Sequence, residues 1–129
     1  MSIIKISVIT ITYNAENVIM RTLDSVLKQT FSNIEHIIID GASKDSTLLA
    51  EREYESRSCS TNNGHEIKII SEPDKGLYDA MNKGIGKATG NYLVFLNAGD
   101  VFSSSSTLET VTDMIGDGEE LPGVLYGNT

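Results

Sequence analysis

Two apolar periods take turns along this chain. Residues 3–12 (IIKISVITIT) are rich in β-branched side chains, and the run from Ile6 to Ile11 is nearly continuous in apolar character. That pattern predicts a strand covered on both faces, hence a parallel sheet. Asn14 is a good helix N-cap, and after it Ile19, Leu23, Val26 and Leu27 fall at i, i+4, i+7 and i+8, an amphipathic helix ending near Gln29. Residues 34–40 (IEHIIID) read as a second strand. Residues 41–47 form a turn into a helix over about 46–55, and residues 56–64 read as a polar loop. Residues 66–71 (EIKIIS) are a third strand, 72–76 (EPDKG) a loop, and 77–88 a helix weakened by Gly84 and Gly86. Residues 92–96 make a fourth strand after the Thr89-Gly90-Asn91 turn. Leu108, Val111, Met114 and Ile115 mark a short helix, and residues 121–126 start a fifth strand, with Pro122 counting against its beginning.

Strands alternating with helices predict an α/β fold, a Rossmann-like three-layer α/β/α sandwich on a mostly parallel sheet. At 129 residues this is one domain with a sizeable core. Ligands of such sheets bind beyond the carboxyl ends of the strands. The polar residues fall there: Thr12-Tyr13-Asn14 after the first strand, Asp40 ending the second, Glu72-Pro73-Asp74-Lys75-Gly76 after the third, and Asn97-Ala98-Gly99-Asp100 after the fourth. Turn chemistry explains any one Asp or Asn beside a Gly. Four strand ends in register, carrying Asp40, Asp74 and Asp100 on one rim, ask for more.

Charge narrows what that rim can serve. The chain has a net charge of −8, with ten Lys and Arg against eighteen acids, which excludes a nucleic-acid backbone as partner. The first 87 residues hold all ten bases, and the remainder holds six acids and none. An anion bound there needs a metal ion or backbone N–H groups to neutralise it. Carboxylates can read ribose hydroxyls and base N–H groups, and can hold a hard divalent cation that bridges to phosphate. A sugar nucleotide has both needs, because breaking its sugar–phosphate bond leaves a charged diphosphate that a metal stabilises.

Other α/β chemistries lack their motifs. No G-x-G-x-x-G follows the first strand, and neither a P-loop nor a G-x-S-x-G elbow is present. His36 and His65 are poorly spaced for a metal or a triad, with His36 inside a strand. The single cysteine, Cys59, sits in the polar loop as an incidental thiol and forms no internal disulfide, in keeping with a reducing compartment.

Four ordered segments now carry a resemblance: Ser7-Val-Ile-Thr-Ile-Thr-Tyr-Asn-Ala-Glu16, Ile38-Ile-Asp-Gly-Ala-Ser-Lys-Asp-Ser-Thr47, Ser71-Glu-Pro-Asp-Lys-Gly-Leu-Tyr-Asp-Ala-Met-Asn-Lys-Gly84 and Phe95-Leu-Asn-Ala-Gly-Asp100. Over about residues 5–127 the chain resembles the nucleotide-binding half of family 2 glycosyltransferases, in a subgroup that makes bacterial surface polysaccharides. The resemblance implies a GT-A fold, a nucleotide-sugar donor, most often UDP-linked, a Mg²⁺ or Mn²⁺ ion, and inversion at the anomeric carbon. It implies that Ile11, Thr12 and Tyr13 line the nucleotide pocket, with Tyr13 against the base. Asp40 matches an acid that reads uracil, and Gly41 stands where the family has a second Asp. Asp74, Lys75 and Gly76 fall in the loop facing ribose and phosphates. Met81 replaces a common phosphate-facing Arg, leaving Lys75 or Lys83 to substitute. Asn97 and Asp100 match the metal motif, with Asp100 the metal ligand. Gly99 removes one carboxylate and so implies a more water-filled metal site.

Inverting enzymes of this family take their general base from an acceptor-side half downstream. Such a base must reach the acceptor hydroxyl. Here the candidates are Glu119 and Glu120, in what reads as a solvated turn, and roughly 100 further residues are expected for an acceptor lobe. The expectation is therefore residues 1–129 as a nucleotide-sugar-binding domain truncated before that half, acting on a glycan or lipid-linked acceptor, cytoplasmic or at the inner face of the cell membrane. Surface left by a missing lobe favours self-association. Two rivals stand beside it: a non-catalytic donor-binding module, and a sugar nucleotidyltransferase, for which the first strand lacks a following Gly-rich, basic loop.

Overall fold

The computed structural model describes residues 4–73, 75–116 and 124–126. Five strands, β1 (Ile6–Thr12), β2 (Ile34–Asp40), β3 (Glu66–Ser71), β4 (Tyr92–Phe95) and β5 (Val124–Tyr126), form one sheet in the order β3-β2-β1-β4-β5. Every neighbouring pair is parallel. The helices between them are α1 (Ile19–Leu27), α2 (Thr47–Thr61), α3 (Leu77–Lys87) and α4 (Thr107–Gly116). This is the expected Rossmann-like α/β/α layering. Because the strands run one way, the ends of β1, β2, β3 and β4 that carry the motifs open on one edge.

Strand alternation assigns the layers. The even positions of β1 and β2 pack with α1, α2 and the Leu108 turn of α4: Ile6, Val8 and Ile34 with Val26 and Leu108, and Ile38 with Ile19, Leu23 and Tyr54. The odd positions Ile9, Ile37 and Ile39 pack with Ala80 of α3. β2 is buried along its whole length, which is why its sequence lacks polar alternation. α3 lies close on the sheet because residue 84 is glycine. A Cβ there would sit 2.5 Å from Cγ2 of Ile9.

Three local expectations are corrected. Asn14 does not cap α1, whose N-cap is Val18. Asn14 instead takes a left-handed φ of 47°, and its side-chain oxygen accepts the Lys44 N–H at 2.7 Å. α2 runs to Thr61 rather than to about 55, so Cys59 is an exposed helical residue and not part of a loop. The buried stripe of α2 is Thr47, Glu51, Tyr54 and Ser58, correctly spaced for a helix but polar, so hydrophobic periodicity missed it. β1 begins at Ile6, since Lys5 donates its main-chain N–H to Asn91 instead of extending the ladder.

Two buried polar groups belong to the scaffold. His36 lies fully buried between Thr10 Oγ1 and Tyr54 Oη, each at 2.7 Å, and burial, with the charge of His65, pulls it down to about 3. It is a neutral core histidine. Glu35, near the opposite end of β2 from the motif edge, accepts hydrogen bonds from Ser7, Thr89 and Lys68.

Candidate functional site

At the motif edge the strand ends enclose a cleft of about 610 Å³. One wall is Ile11, Thr12 and Tyr13, where β1 gives out. A second is Gly41, Ala42 and Lys44, in the turn between β2 and α2. The third is Pro73, Gly76, Leu77 and Ala80, the loop after β3 and the first turn of α3. Such a volume suits a small organic ligand, and the lining is mostly apolar and backbone, with Tyr13 57% exposed at the mouth. Gly76, with φ of 117°, adopts a conformation that side chains rarely take, and it turns the chain from the β3 loop into α3.

Hydrogen bonds lock the first two walls together. Asp40 accepts from Ser43 N at 2.8 Å, Ser43 Oγ at 2.6 Å and Ser71 Oγ at 2.9 Å. Ser43 Oγ in turn accepts the Asn14 N–H at 2.9 Å, and Gly41 N–H donates to Thr12 O at 2.9 Å. The two non-glycine residues with left-handed φ in this clamp, Asn14 and Ala42 (φ 63°), are held by these bonds.

The expected residues are thus brought together unequally. Ile11, Thr12, Tyr13 and Gly76 line the cleft. Asp40 does not line the cleft: it is fully buried behind the Gly41 wall, its carboxylate engaged with two serines rather than presented to the opening. Lys75 is exposed beside the cleft, its N–H donating to Asp79 Oδ2 at 3.0 Å. Asp74, Glu119 and Glu120 lie outside the described residues.

Asn97 and Asp100 occupy the neighbouring loop after β4. Asp100 N–H donates to Asn97 O at 2.9 Å around Gly99, whose φ of 98° fits the third position of a type II turn. α1 pins this loop: Gly99 N–H donates to Thr22 Oγ1 at 2.8 Å. Asn97 is exposed and Asp100 half-buried, and no side-chain hydrogen bond or ion pair with another described residue occupies the Asp100 carboxylate. Among the described residues no three His, Cys, Asp or Glu side chains gather as a metal cluster. One free carboxylate at a loop fits a cation that takes its remaining ligands from phosphate oxygens and water, the habit of Mg²⁺.

Lys44, Leu77 and Ala80 entered the cleft without being singled out in the sequence. Leu77 and Ala80, one helical turn apart directly after Gly76, carried a readable signal. Lys44 carried none, being one exposed cation in a polar turn.

The model of the family described as "Glycosyl transferase family 2" matches residues 7–125. The chain belongs to that family. Among curated relatives, a PGL/p-HBAD biosynthesis glycosyltransferase of Mycobacterium bovis is 36% identical over 122 residues, which are 95% of this chain and 45% of the relative. An uncharacterized glycosyltransferase of Mycobacterium tuberculosis is 40% identical over 111 residues, 85% of this chain and 39% of the relative. The chain therefore spans less than half the length of these relatives. Among solved structures, S. aureus TarS 1-349 in complex with UDP-GlcNAc superposes with a TM-score of 0.73 at 24% identity, over 92% of this chain and 37% of that one, a likeness of fold. The mannosyltransferase PcManGT from Pyrobaculum calidifontis, in complex with GDP-Man and Mn2+, gives a TM-score of 0.74 at 26% identity, over 88% of this chain and 33% of that one. Family and GT-A fold thus agree with the reading of the four motifs.

Proposed function

We propose that this chain is the donor-binding half of a metal-dependent, inverting glycosyltransferase that moves a sugar from a nucleotide-diphosphate sugar to a glycan or lipid-linked acceptor. The cleft at the ends of β1 and β2 and the start of α3 carries the reading: it has the volume and the mixed apolar and backbone lining that a nucleoside needs. Ile11, Thr12 and Tyr13 hold the nucleoside, with the Tyr13 ring against the base. Asp40 acts from behind the Gly41–Lys44 wall, which it holds through Ser43. Asp74, Lys75 and Gly76 border the ribose and phosphates, and Asn97 flanks the diphosphate. Asp100 holds Mg²⁺ or Mn²⁺, which supplies charge neutralisation of the leaving diphosphate. UDP is the first nucleotide to test. The base that deprotonates the acceptor hydroxyl belongs to an acceptor-side half of the whole protein. The proposed workplace is the cytoplasm or the inner membrane face. Among the described residues no helix is long and apolar enough to cross a membrane.

The test is calorimetry and thermal shift with UDP, GDP and dTDP, with and without Mn²⁺. Saturating nucleotide at about a hundred times its dissociation constant stabilises the fold by about 2.7 kcal/mol. Asp100→Ala should abolish the Mn²⁺-dependent part of binding and leave the metal-free part intact. If none of the three nucleotides binds at millimolar concentration with Mn²⁺ present, the proposal fails. Binding without donor hydrolysis or transfer would identify the chain by itself as a donor-binding module.

A further inference from the structure

Glu51 is the least expected residue under the cleft. It sits on the second turn of α2, on the face turned to the sheet, and is 0% exposed. Among the described residues neither of its carboxyl oxygens has a hydrogen-bond partner. An ionised carboxylate buried in that condition would be prohibitively costly, so the group must either find a donor or carry a proton. Asp40, the acceptor for Ser43 and Ser71, is the charged group it meets: it ends β2 on the same face as Ile38, which packs against Tyr54 of α2, and like Glu51 it is fully buried. A proton on Glu51 turns an acceptor–acceptor juxtaposition into a donor–acceptor pair.

We propose that Glu51 is a positioning residue of the nucleotide cleft: its neutral carboxylic acid donates to Asp40 and thereby holds both loops that wall the cleft. The route is short and covers both walls. Asp40 grips Ser43 through its backbone N–H and its hydroxyl, Ser43 Oγ accepts the Asn14 N–H, and Asn14 Oδ1 accepts the Lys44 N–H. Asn14 follows Tyr13, and Ser43 lies between Ala42 and Lys44, three of the residues that line the cleft. Both loops also store left-handed residues, Asn14 and Ala42, which relax when the clamp weakens.

The surroundings support the protonated form. Burial first, then the charge of Asp40 and, more weakly, of Asp45, push Glu51 up to about 8, against a partial offset from Arg52 on its own helix. Of the other groups on this side, His36 and Tyr54 bond each other, and Arg57 pairs with Asp24 of α1 at 2.8 Å. Losing the Glu51 proton puts two negative carboxylates together behind the cleft wall that Asp40 anchors. The consequence is a cleft that loosens on the alkaline side, where the serine–asparagine clamp loses its anchor.

This inference rests on the cleft being the nucleotide site, and its test separates the two. The backbone amide resonances of Asn14, Ser43 and Lys44 are followed from pH 6.5 to 9.0 without ligand. They should move together with a midpoint near 8, and in Glu51→Gln, whose amide donates at every pH, they should stay still. With Mn²⁺ present, UDP affinity should weaken roughly tenfold across that range in the Glu51 protein and stay level in Glu51→Gln. Amides that do not titrate in the Glu51 protein overturn the proposal, as does an alkaline amide transition of equal size in Glu51→Gln. Should Glu51→Gln fail to fold, the ligand-free titration of the Glu51 protein decides alone. Titrating amides in a protein that binds no nucleotide would uphold the clamp while the donor reading fell.

Discussion

Glu35 shows how a charged residue can sit inside an apolar strand. Its side chain is fully buried, yet Ser7 Oγ, Thr89 N and Oγ1 and Lys68 Nζ all donate to it within 2.9 Å, and Lys5 Nζ lies 3.4 Å away. Burial raises its affinity for a proton, but the Lys68 ammonium and the Thr89 and Ser7 donors outweigh this and hold it at about 2, from an ordinary 4.5. A folded-state value below the unfolded one means stability that is present above about pH 4.5 and drains away as the pH falls toward 2. A shift of this size corresponds to at most about 3 kcal/mol, and because the two lysines are about a third exposed, screening leaves about 1–2 kcal/mol. Urea titrations from pH 6 to pH 2.5 should show Glu35→Gln less stable by that amount at pH 6, with the gap closing at the acid end. A constant gap would mean that the loss is one of packing rather than of charge. None of these partners could be read from the strand itself, since they stand at positions 5, 7, 68 and 89 and meet only once the sheet is assembled.

At the scale of elements, α3 contains a matched pair of glycines with opposite roles. Gly84 faces the sheet, where a Cβ would meet Ile9 Cγ2 at 2.5 Å, whereas a Cβ at Gly86 would meet nothing within 4 Å. Replacing an exposed helical glycine with alanine gains about 0.5–1 kcal/mol. Gly86→Ala should therefore raise the urea midpoint. Gly84→Ala should lower it by a net of about 1–2 kcal/mol, since the branched Ile9 side chain is fully buried and cannot swing aside. Equal effects at the two positions would show that α3 does not pack as closely as its geometry states. The sequence treated both glycines as weaknesses of the helix, because propensity is local and close approach is not. Two strands were legible to the residue, since β2 and β3 occupy the expected 34–40 and 66–71. In β2, burial along the whole strand leaves a β-branched signature that needs no partner to be recognised. The end of α2 beyond about residue 55 was not legible, because the inward stripe of Thr47, Glu51, Tyr54 and Ser58 is polar and offers no apolar period to extend. The cleft was legible in its first wall and in Gly76, where short motifs hold the chemistry. Asp40 was placed at the right edge but its engagement with Ser43 and Ser71 was hidden, because a carboxylate that ends a strand reads the same whether it faces a ligand or a turn.

For the whole molecule, electrostatics opposes the ligand proposed for it. The chain carries a net charge of −8, and every base lies in the first 87 residues. Lys44 in the cleft wall and the exposed Lys75 beside it are the local exceptions. A nucleoside diphosphate approaching this surface without a cation meets net repulsion, which salt screens over a Debye length of about 8 Å at physiological ionic strength. Most binding reactions of nucleotides weaken as salt is added; here the metal-free reaction should do the reverse. Metal-free UDP should bind about two- to fivefold more tightly at 150 mM than at 10 mM NaCl, because the long-range field is screened while hydrogen bonds to the nucleoside persist. Uridine, which lacks the diphosphate, should show no such trend. Saturating Mn²⁺ should remove or invert the trend for UDP, since the cation held at Asp100 then presents positive charge to the phosphates. If metal-free UDP instead weakens steadily with salt, the lysines at the cleft dominate the field, and the diphosphate would be held by Lys44 and Lys75 without need of Asp100. The salt series thus reads out which charges face the phosphates, independently of whether a sugar is ever transferred.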